Sequence, residues 1–342
     1  MSSAPHTSSR PVAWGLLSTA RINRHIIAGA AESDRVDVVA VASRSQESAD
    51  RYAQEKGIAT AHGSYDALLD DPMVEAVYIS LPNAMHVDWT IRALEAGKHV
   101  LCEKPFSRHP ADVERAFDVS ERAGLVLSEG FMWRHHPQAD AIARLVREGV
   151  VGNLRMLRAS FSFQLAPVHG PSDARFDPLL DGGSLMDVGC YCLSAMRAVA
   201  GEPRRVSGMQ HVGPSGVDVA FTGTVEFEND ILGHFDCGFV LPLRHEFEVV
   251  GEDGSLFVAD PFHIKHPGIE IRRMTPTREP VTEMLHMPSV DSYRLQMENV
   301  SGAIRGTEAL RLGRSDAVGQ SRAIAALYTA AERGTTVEVA AT

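Results

Sequence analysis

Short apolar runs alternate with amphipathic stretches through the first 130 residues, and this rhythm constrains the fold more than any other feature. The apolar runs cover 12–17, 36–42, 74–81, 99–102 and 125–128, and the run over 36–42 is rich in β-branched residues. The amphipathic stretches between them cover 20–31, 45–56, 86–96 and 111–123. Glycines 57, 97 and 124 close the last three, as expected at helix ends. Strands alternating with helices predict βαβ units and a parallel sheet buried on both faces.

The pattern changes after about residue 152. A strand over 151–163 leads into a loop over 166–181 that is rich in Pro, Gly and Asp, and a helix follows over 184–200. Strands then follow one another without helices, at 205–211, 217–227, 231–240, 246–250 and 255–258. Two helical patterns, 292–305 and 314–333, close the chain. We therefore expect an α/β domain followed by an α+β domain built on an open, mainly antiparallel sheet.

Composition narrows the class of protein and its partners. The 342 residues hold 33 Lys and Arg against 44 Asp and Glu, a net charge of −11 that repels phosphate backbones, so we expect no nucleic-acid partner. No apolar run reaches the ~18 residues that a membrane span needs, so we expect no membrane partner. Four cysteines without a C-x-x-C pair predict no metal site. They fit a reducing compartment, and we expect a cytoplasmic protein.

The first predicted strand enters its helix through the turn Ser18-Thr19-Ala20-Arg21-Ile22-Asn23. At this place in a doubly wound sheet, a helix N-terminus offers N–H groups and positive dipole charge to a pyrophosphate. The glycines of the G-x-G-x-x-G fingerprint would fall on Ser18, Ala20 and Asn23, and all three are absent. Small Ser and Ala still allow close backbone approach. The turn fits a dinucleotide site, and on these residues alone it fits an ordinary strand–turn–helix connection equally well.

The end of the second predicted strand, Ala42-Ser43-Arg44, bears on which dinucleotide would bind. An acid at this place holds the ribose 2′-OH of NAD, whereas an arginine accommodates the 2′-phosphate of NADP. Asp37 is the nearest upstream acid and stands at the start of the strand, too far back to reach the ribose. Ser43 and Arg44 therefore favour a phosphate clamp. The alternative is a solvated surface arginine.

A lysine follows the predicted strand over 99–102 in the sequence Glu103-Lys104-Pro105. Ligands of open α/β sheets bind beyond the carboxyl ends of the strands, so Lys104 is expected to project into a cleft. A lysine beside a nicotinamide can hold the substrate oxygen and stabilise its changing charge during hydride transfer. The alternative is a surface lysine paired with Glu103.

Asp187 and Tyr191 are four residues apart on the predicted helix over 184–200, so they share a face. A tyrosine hydroxyl can exchange a proton with a carbonyl oxygen, and Asp187 could orient Lys104 or bind a substrate hydroxyl. Arg175 lies in the loop before this helix and is a candidate for contact with substrate. The alternatives are a surface Asp–Tyr pair and a solvated loop arginine.

Five elements stand in the order found in the glucose–fructose oxidoreductase/inositol dehydrogenase (Gfo/Idh/MocA) family. They are the segment 12–44, PNAMH at 82–86, CEKP at 102–105, EGFMWR at 129–134 and GGSLMDVGCY at 182–191. The chain resembles this family over nearly its whole length. Tyr191 stands where many members carry His. This tyrosine, the 18–21 turn and Ser43-Arg44 are similar to the dihydrodiol dehydrogenase/NADP-dependent xylose dehydrogenase branch.

The resemblance implies an N-terminal Rossmann domain, NADP(H) rather than NAD as cofactor, and a sugar, polyol or related cyclic hydroxy compound as substrate. It implies that Lys104, Asp187 and Tyr191 are catalytic and that they contact the substrate. Arg175, from its place in the loop before the helix, is a further candidate for contact with substrate. It also implies a homodimer or homotetramer built on the C-terminal sheet. The residues expected at the cofactor are Ser18, Thr19, Ala20, Arg21, Ile22, Ser43, Arg44, Leu81, Pro82, Asn83, His86, Glu103, Lys104, Trp133 and Arg134.

The expected divisions of the chain are a flexible tail (1–10), a dinucleotide-binding Rossmann domain (11–134), a substrate and oligomerisation domain (135–313), and a C-terminal helix and tail that pack back on the core (314–342). The expected function is NADP(H)-dependent hydride transfer at a secondary hydroxyl, ketone or anomeric carbon of a sugar, polyol or cyclic diol. One alternative is a redox-neutral glycosidase or lyase with transient oxidation. Another is a non-catalytic NADP-binding protein.

Overall fold

The computed structural model describes residues 10–275, 277 and 279–340, so the predicted tail lies outside the described residues except for Arg10. Within this part of the chain, six parallel strands form the first sheet, in the order β3-β2-β1-β4-β5-β6. They are β1 (Val12–Leu17), β2 (Val36–Ala42), β3 (Thr60–His62), β4 (Ala76–Ile79), β5 (His99–Glu103) and β6 (Leu127–Gly130). This is the Rossmann strand order, and the predicted parallel sheet is confirmed.

Five helices connect these strands in turn. They are α1 (Asn23–Ala31), α2 (Gln46–Lys56), α3 (Tyr65–Leu69), α4 (His86–Glu95) and α5 (Pro110–Ala123). Ser45 begins α2 by accepting a hydrogen bond from the backbone N–H of Ser48, and Gly57 ends it at a φ of 70°. The short β3 and α3 were not expected from the sequence, because three and five residues are too few to establish a period.

The second sheet contains nine strands of the described chain, in the order β14-β13-β12-β11-β7-β10-β9-β8-β15. Only β7 and β10 pair in parallel, so the predicted open, mainly antiparallel sheet is confirmed. The strands are β7 (Leu154–Ser162), β8 (Arg205–Val212), β9 (Asp218–Glu226), β10 (Leu232–Gly238), β11 (Arg244–Gly251), β12 (Gly254–Val258), β13 (Gly268–Met274), β14 (Pro280–His286) and β15 (Val337–Glu338).

Helices cover one face of this second sheet. They include α6 (Pro137–Arg147), α7 (Leu165–His169) and α8 (Cys190–Ala200), and a single π-helical turn, Leu185–Gly189, leads directly into α8. Alternate residues of β7 are buried on the helix-covered side, including Leu157, Ala159 and Phe161. The register across β9 and β10 keeps Phe221 and Phe235 in the same buried layer, because side chains alternate along each strand.

The chain divides into two compact units. The first comprises the chain up to residue 107, 111–135 and 291–317, and the second comprises 108–110, 136–290 and the chain from 318 onward. Residues 291–317, which contain α9 (Ser292–Arg305), thus cluster with the first sheet, whereas the sequence pattern grouped 135–313 together. The last helix, α10 (Arg314–Arg333), lies mostly in the second unit.

Packing against β1 and α1 explains why α9 belongs to the first unit. The Trp14 indole N–H donates to the hydroxyl of Ser301 at 3.1 Å, and Met297 and Val300 are fully buried in the same core as Trp14. Gly29 of α1 allows this approach, because a Cβ there would lie 2.9 Å from the backbone nitrogen of Arg294. A helix far along the chain therefore completes the first core.

An ion pair fixes the end of α9 to the amino-terminal ends of β1 and β4 in the first sheet. Both guanidinium Nη atoms of Arg305 donate to the Glu75 carboxylate at 2.9 Å, and the backbone N–H of Ala13 donates to the same carboxylate at 3.0 Å. The Arg305 hydrogen bonds lower the pKa of Glu75 to about 2, despite partial burial that works in the opposite direction.

We expect Glu75→Gln to lower the free energy of unfolding at pH 7 by about 1–2 kcal/mol, a value reduced for solvent screening of a partly exposed pair. The depressed pKa stabilises the fold above the ordinary value of 4.5, and this contribution is lost as pH falls towards about 2. In urea denaturation, the free energies of unfolding of the wild type and Glu75→Gln should therefore differ less at pH 3.5 than at pH 7. Glu95→Gln, at an exposed position on α4, is the control. If Glu75→Gln destabilises the protein equally at both pH values, the lowered pKa of Glu75 is contradicted.

Candidate functional site

The parallel strands of the first unit end at one edge, and polar residues follow them there. Ser18 follows β1, Ser43 follows β2, Ser80 follows β4 and Lys104 follows β5. The strand order reverses between β1 and β4, which is the switch point where open α/β sheets bind their ligands. The predicted cofactor residues 18–22, 43–44, 81–83 and 103–104 all lie at or next to these strand ends.

A buried hydrogen-bond network replaces the missing glycines of the first turn. Ser18 has a φ of 153°, a conformation that favours glycine, and its hydroxyl lies 2.7 Å from that of Ser80. The Asn23 amide donates to the backbone carbonyl of Ser18 at 2.8 Å and accepts from the Ser80 hydroxyl at 2.7 Å. The backbone N–H of Ala20 donates to the Ser18 hydroxyl at 3.1 Å. Side-chain hydrogen bonds therefore hold a turn that glycines would otherwise permit.

The other residues of this turn are partly or fully exposed to solvent. Thr19, Ala20 and Ile22 are half-buried and Arg21 is exposed, and α1 begins at the next residue, Asn23. The turn thus places the small side chains of Thr19 and Ala20 at the edge where a pyrophosphate would bind, while the first three N–H groups of α1 donate to the carbonyls of residues 20–22.

The end of β2 presents an exposed arginine. Ser43 is buried, and its backbone N–H donates to the carbonyl of His62 at 3.0 Å, which ties β2 to β3. Arg44 is exposed and stands immediately before Ser45, the residue that caps α2. Burial raises the pKa of Tyr65, and the nearby charge of Arg44 partly offsets that rise. The Arg44 guanidinium is therefore close to the start of α3 and accessible to an anion.

Lys104 lies in a turn whose neighbours are held by hydrogen bonds. The Lys104–Pro105 peptide bond is cis, and the Lys104 side chain is half-buried. The Glu103 carboxylate accepts from the Tyr78 hydroxyl and from the backbone N–H of Lys104 at 3.2 Å. The Glu103 carboxylate thus connects β4 to the turn that carries Lys104.

His86 joins the ends of β4 and β5. Its ring is buried, with Nε2 lying 2.8 Å from the carbonyl oxygen of Leu81 and Nδ1 lying 2.9 Å from that of Pro105. Burial lowers the pKa of His86. The ring thus braces the turn that carries Lys104, while Pro82 and Asn83 between the two strands are half-buried.

Trp133 and Arg134 follow β6 in a short 3₁₀ helix. Trp133 is buried and the Arg134 guanidinium lies over its ring, 5.6 Å from the centroid. Arg134 also pairs with Asp316 at 3.2 Å, and its backbone carbonyl accepts from Arg311 at 2.6 Å. Arg134 thus forms an ion pair within the first unit.

The second unit brings Arg175, Asp187 and Tyr191 into one region. Asp187 lies in the π-helical turn and Tyr191 in the first turn of α8, so the predicted helix over 184–200 begins with a wider turn than expected. Such turns recur at functional sites. The Arg175 guanidinium donates to Asp187 at 3.2 Å and makes two hydrogen bonds with Asp173, at 2.8 and 3.1 Å.

These contacts set the charge state of the Arg175 cluster. Burial opposes the charge of Arg175, but hydrogen bonds and charges from Asp173 and Asp187 outweigh it and raise the pKa of the guanidinium. Burial would also raise the pKa of Asp173, and the hydrogen bonds from Arg175 lower it on balance. The cluster is therefore a charged group that holds the Asp187 carboxylate in a defined orientation.

Aromatic rings surround the Tyr191 side chain, which is 6% exposed. Phe161 of β7 lies edge-on to it at 5.4 Å between centroids, and Phe262 lies at 5.3 Å. His245 contacts Phe161 and lies 3.3 Å from the carboxylate of Asp260. The sequence analysis missed this group. Phe161 was seen only as part of an apolar strand, and no local motif marks Phe262.

Within the part of the chain that the structure describes, no group of three or more His, Cys, Asp or Glu side chains is arranged to hold a metal ion. The four cysteines are buried thiols. None of the described helices combines the length and apolar character needed to cross a bilayer.

Comparison with known proteins agrees with this geometry. A family model described as "Oxidoreductase family, NAD-binding Rossmann fold" matches residues 15–131, and one described as "GFO/IDH/MocA C-terminal domain" matches residues 140–257. The chain belongs to the Gfo/Idh/MocA oxidoreductase family. The resemblance seen in the sequence of this Gfo/Idh/MocA protein is therefore confirmed, including its division into a Rossmann part and a C-terminal sheet.

Individual relatives cover between 72% and 95% of the chain. D-xylose 1-dehydrogenase (NADP(+)) 2 of Haloferax volcanii is 36% identical over 95% of this chain and 99% of its own. Trans-1,2-dihydrobenzene-1,2-diol dehydrogenase of Bos taurus is 32% identical over 72% of this chain and 74% of its own. The crystal structure of a 3-ketoreductase from Actinomadura kijaniata, in complex with NADP and TDP-benzene, has a TM-score of 0.86 and 29% identity, covering 94% and 98% of the two chains.

Proposed function

We propose that this protein is an NADP(H)-dependent oxidoreductase that transfers a hydride to or from a secondary hydroxyl, ketone or anomeric carbon of a sugar, polyol or related cyclic diol. The observation that carries the proposal is Lys104, which follows β5 at the edge where the strand order of a Rossmann sheet reverses. The relatives named above, a xylose dehydrogenase, a dihydrodiol dehydrogenase and a 3-ketoreductase, share redox chemistry at such carbons.

The residues at this edge fit an NADP molecule. The 18–23 turn combines a glycine-like backbone at Ser18 with small neighbouring side chains, which suits close approach of a pyrophosphate. Arg44 is exposed at the end of β2, where an NAD-specific protein would carry an acid. We therefore infer that Arg44 and Ser43 bind the 2′-phosphate, and that the 18–22 turn binds the pyrophosphate.

Arg44→Ala should weaken NADP binding by about 1.5–3 kcal/mol, the contribution of a hydrogen bond to a charged group, and should leave NAD binding unchanged. Fluorescence titration with NADPH and NADH measures both affinities. Arg51→Ala removes an exposed arginine from α2 and is the matched control. A wild-type protein that binds NADH more tightly than NADPH would refute the cofactor assignment.

NADP, when bound, supplies the nicotinamide carbon that exchanges the hydride. The protein must then stabilise charge on the substrate oxygen and move a proton to or from it. We infer that the Lys104 ammonium stabilises that oxygen and that the Tyr191 hydroxyl exchanges the proton. Asp187, oriented by Arg175, is inferred to bind a substrate hydroxyl, and the apolar rings of Phe161 and Phe262 exclude water from the Tyr191 ring.

Tyr191→Phe should lower turnover by about 10²–10⁴-fold, the usual contribution of general acid–base catalysis. The ring contacts with Phe161 and Phe262 remain, so the melting temperature and NADPH affinity should hardly change. Lys104→Met should lower turnover at least as far. If the two groups act as one unit, the double variant should be little worse than the worse single variant.

Steady-state kinetics on a panel of D-xylose, other sugars, cyclic polyols and their ketones measures these effects. Tyr293→Phe, which alters a ring stacked on His25 in the first unit, is the control. Full activity in Tyr191→Phe would assign proton transfer to another group. Turnover of a glycoside without net change in NADPH absorbance would favour the redox-neutral alternative over the proposed function.

We further propose that the second sheet forms a homo-oligomer interface through its uncovered face. The register aligns Ser207, Thr224, His234, Arg158 and Glu248 in one row on that face. Neighbouring rows carry the exposed apolar side chains of Met209 and Leu232, 75% and 44% exposed. Exposed apolar groups beside ion pairs such as Arg158–Glu248 suit burial against a second copy.

Light scattering at micromolar concentration should therefore give the mass of a dimer or tetramer. Leu232→Asp should shift the protein towards a smaller species, because it buries a charge in the interface. Met73→Glu changes an exposed apolar side chain of the first unit and should leave the mass unchanged. A monomeric wild type would contradict the proposal.

A further inference from the structure

A buried carboxylate holds the beginning of the π-helical turn that contains Asp187. Asp218, the first residue of β9, is 3% exposed. One of its oxygens, Oδ2, accepts from the Ser184 hydroxyl and from the backbone N–H of Leu185, both at 2.7 Å. The other, Oδ1, accepts from the Tyr328 hydroxyl of α10 at 2.8 Å. Three donors from two separate segments therefore meet on one carboxylate.

The backbone is shaped around this carboxylate. Gly183 has a φ of 126°, and a Cβ there would lie 2.2 Å from Oδ1 of Asp218 and 3.0 Å from the Tyr328 hydroxyl. On its other side, the backbone N–H of Gly183 donates to the carbonyl of Arg175 at 3.0 Å. Glycine is required here because any side chain would displace the carboxylate.

A buried carboxylate destabilises the fold unless hydrogen-bond donors replace the water that it has lost. Burial raises the pKa of Asp218, and the hydrogen bonds from Leu185, Ser184 and Tyr328 work against that rise. The Arg108 guanidinium lies over the Tyr328 ring at 5.4 Å and pairs with a different carboxylate, Asp181, at 3.0 Å. The orientation of the Asp218 carboxylate therefore depends on its hydrogen bonds from Ser184, Leu185 and Tyr328.

We propose that Asp218 is a positioning residue for Asp187 and Tyr191. This inference rests on the proposed function, in which those two side chains contact the substrate. The Leu185 N–H is the first donor of the π-helical turn and lies two residues before Asp187. A carboxylate from another strand therefore fixes the start of a rigid helical segment that carries both groups.

The backbone links the Asp218 carboxylate to both Asp187 and Tyr191. The backbone N–H of Asp187 donates to the carbonyl of Gly183 at 3.0 Å, so a shift of Gly183 moves Asp187 directly. Tyr191 follows in α8, which continues the π-helical turn without a break. Displacement of a reacting group by about 1 Å can cost on the order of 10²-fold in rate, even when the change lies outside the site.

The test compares Asp218→Ala with Asp218→Asn in the full-length protein, using the panel compound that the wild type turns over fastest. Asp218→Ala should lower kcat by about 10–10²-fold with unchanged NADPH affinity, because the cofactor residues belong to the first unit. Asp218→Asn should restore most of kcat, since its amide oxygen still accepts from Ser184 and Leu185. Tyr328→Phe, which removes a single donor, should give a smaller loss and serves if Asp218→Ala does not fold.

A double variant separates positioning from simple loss of stability. In a Tyr191→Phe background, Asp218→Ala should cost much less than it does alone, because Asp218 acts through the group already removed. Ile269→Ala removes a fully buried side chain from β13, which four other strands separate from β9, and should lower the melting temperature without lowering kcat. Full kcat in Asp218→Ala, or full additivity with Tyr191→Phe, would overturn the proposal. Full activity in Tyr191→Phe alone would instead refute the proposed proton-transfer role.

Discussion

The chemistry of the first unit depends on one constraint, the parallel pairing of its six strands. Parallel strands need crossover connections, so every strand runs in the same direction and every carboxyl end reaches the same edge. Ser18, Arg44 and Lys104 are far apart in the chain, yet each follows one of these strands. Their common location needs no special contact between them. It follows from strand direction, and the hydrogen bonds of Glu103 and His86 then hold the Lys104 turn in place.

In both units, hydrogen bonds from buried polar groups hold a turn with an uncommon backbone conformation. In the first unit, Ser18, Ser80 and Asn23 hydrogen-bond to one another where the dinucleotide fingerprint has glycines. In the second, Asp218 satisfies the N–H group that begins the π-helical turn. Each buried donor or acceptor is costly when left alone and stabilising when paired, so such networks tolerate few alternative geometries. That rigidity suits turns that carry the side chains proposed to react.

Local pattern was enough to predict most elements of both sheets. The strands that were missed explain the limits of this approach. Every side chain of β14 is largely exposed except Leu285, so the strand shows no alternation of buried and exposed residues, and β13 beside it was missed with it. The π-helical turn was predicted as ordinary helix, because its extra residue per turn leaves no trace in composition. The grouping of α9 with the first unit depends on packing of Met297 and Val300 against a core that sequence spacing does not reveal.

The sequence by itself determined the Rossmann pattern, the polar residues at the strand ends, and the placement of Asp187 and Tyr191 on one helical segment, because these follow from hydrophobic periodicity and short motifs. Only the tertiary structure decided what holds those residues. Arg175 on Asp187, Phe161 and Phe262 around Tyr191, and Asp218 beneath the π-helical turn come from distant segments. Such contacts depend on strand register and side-chain packing across the sheet, which a single sequence does not encode locally.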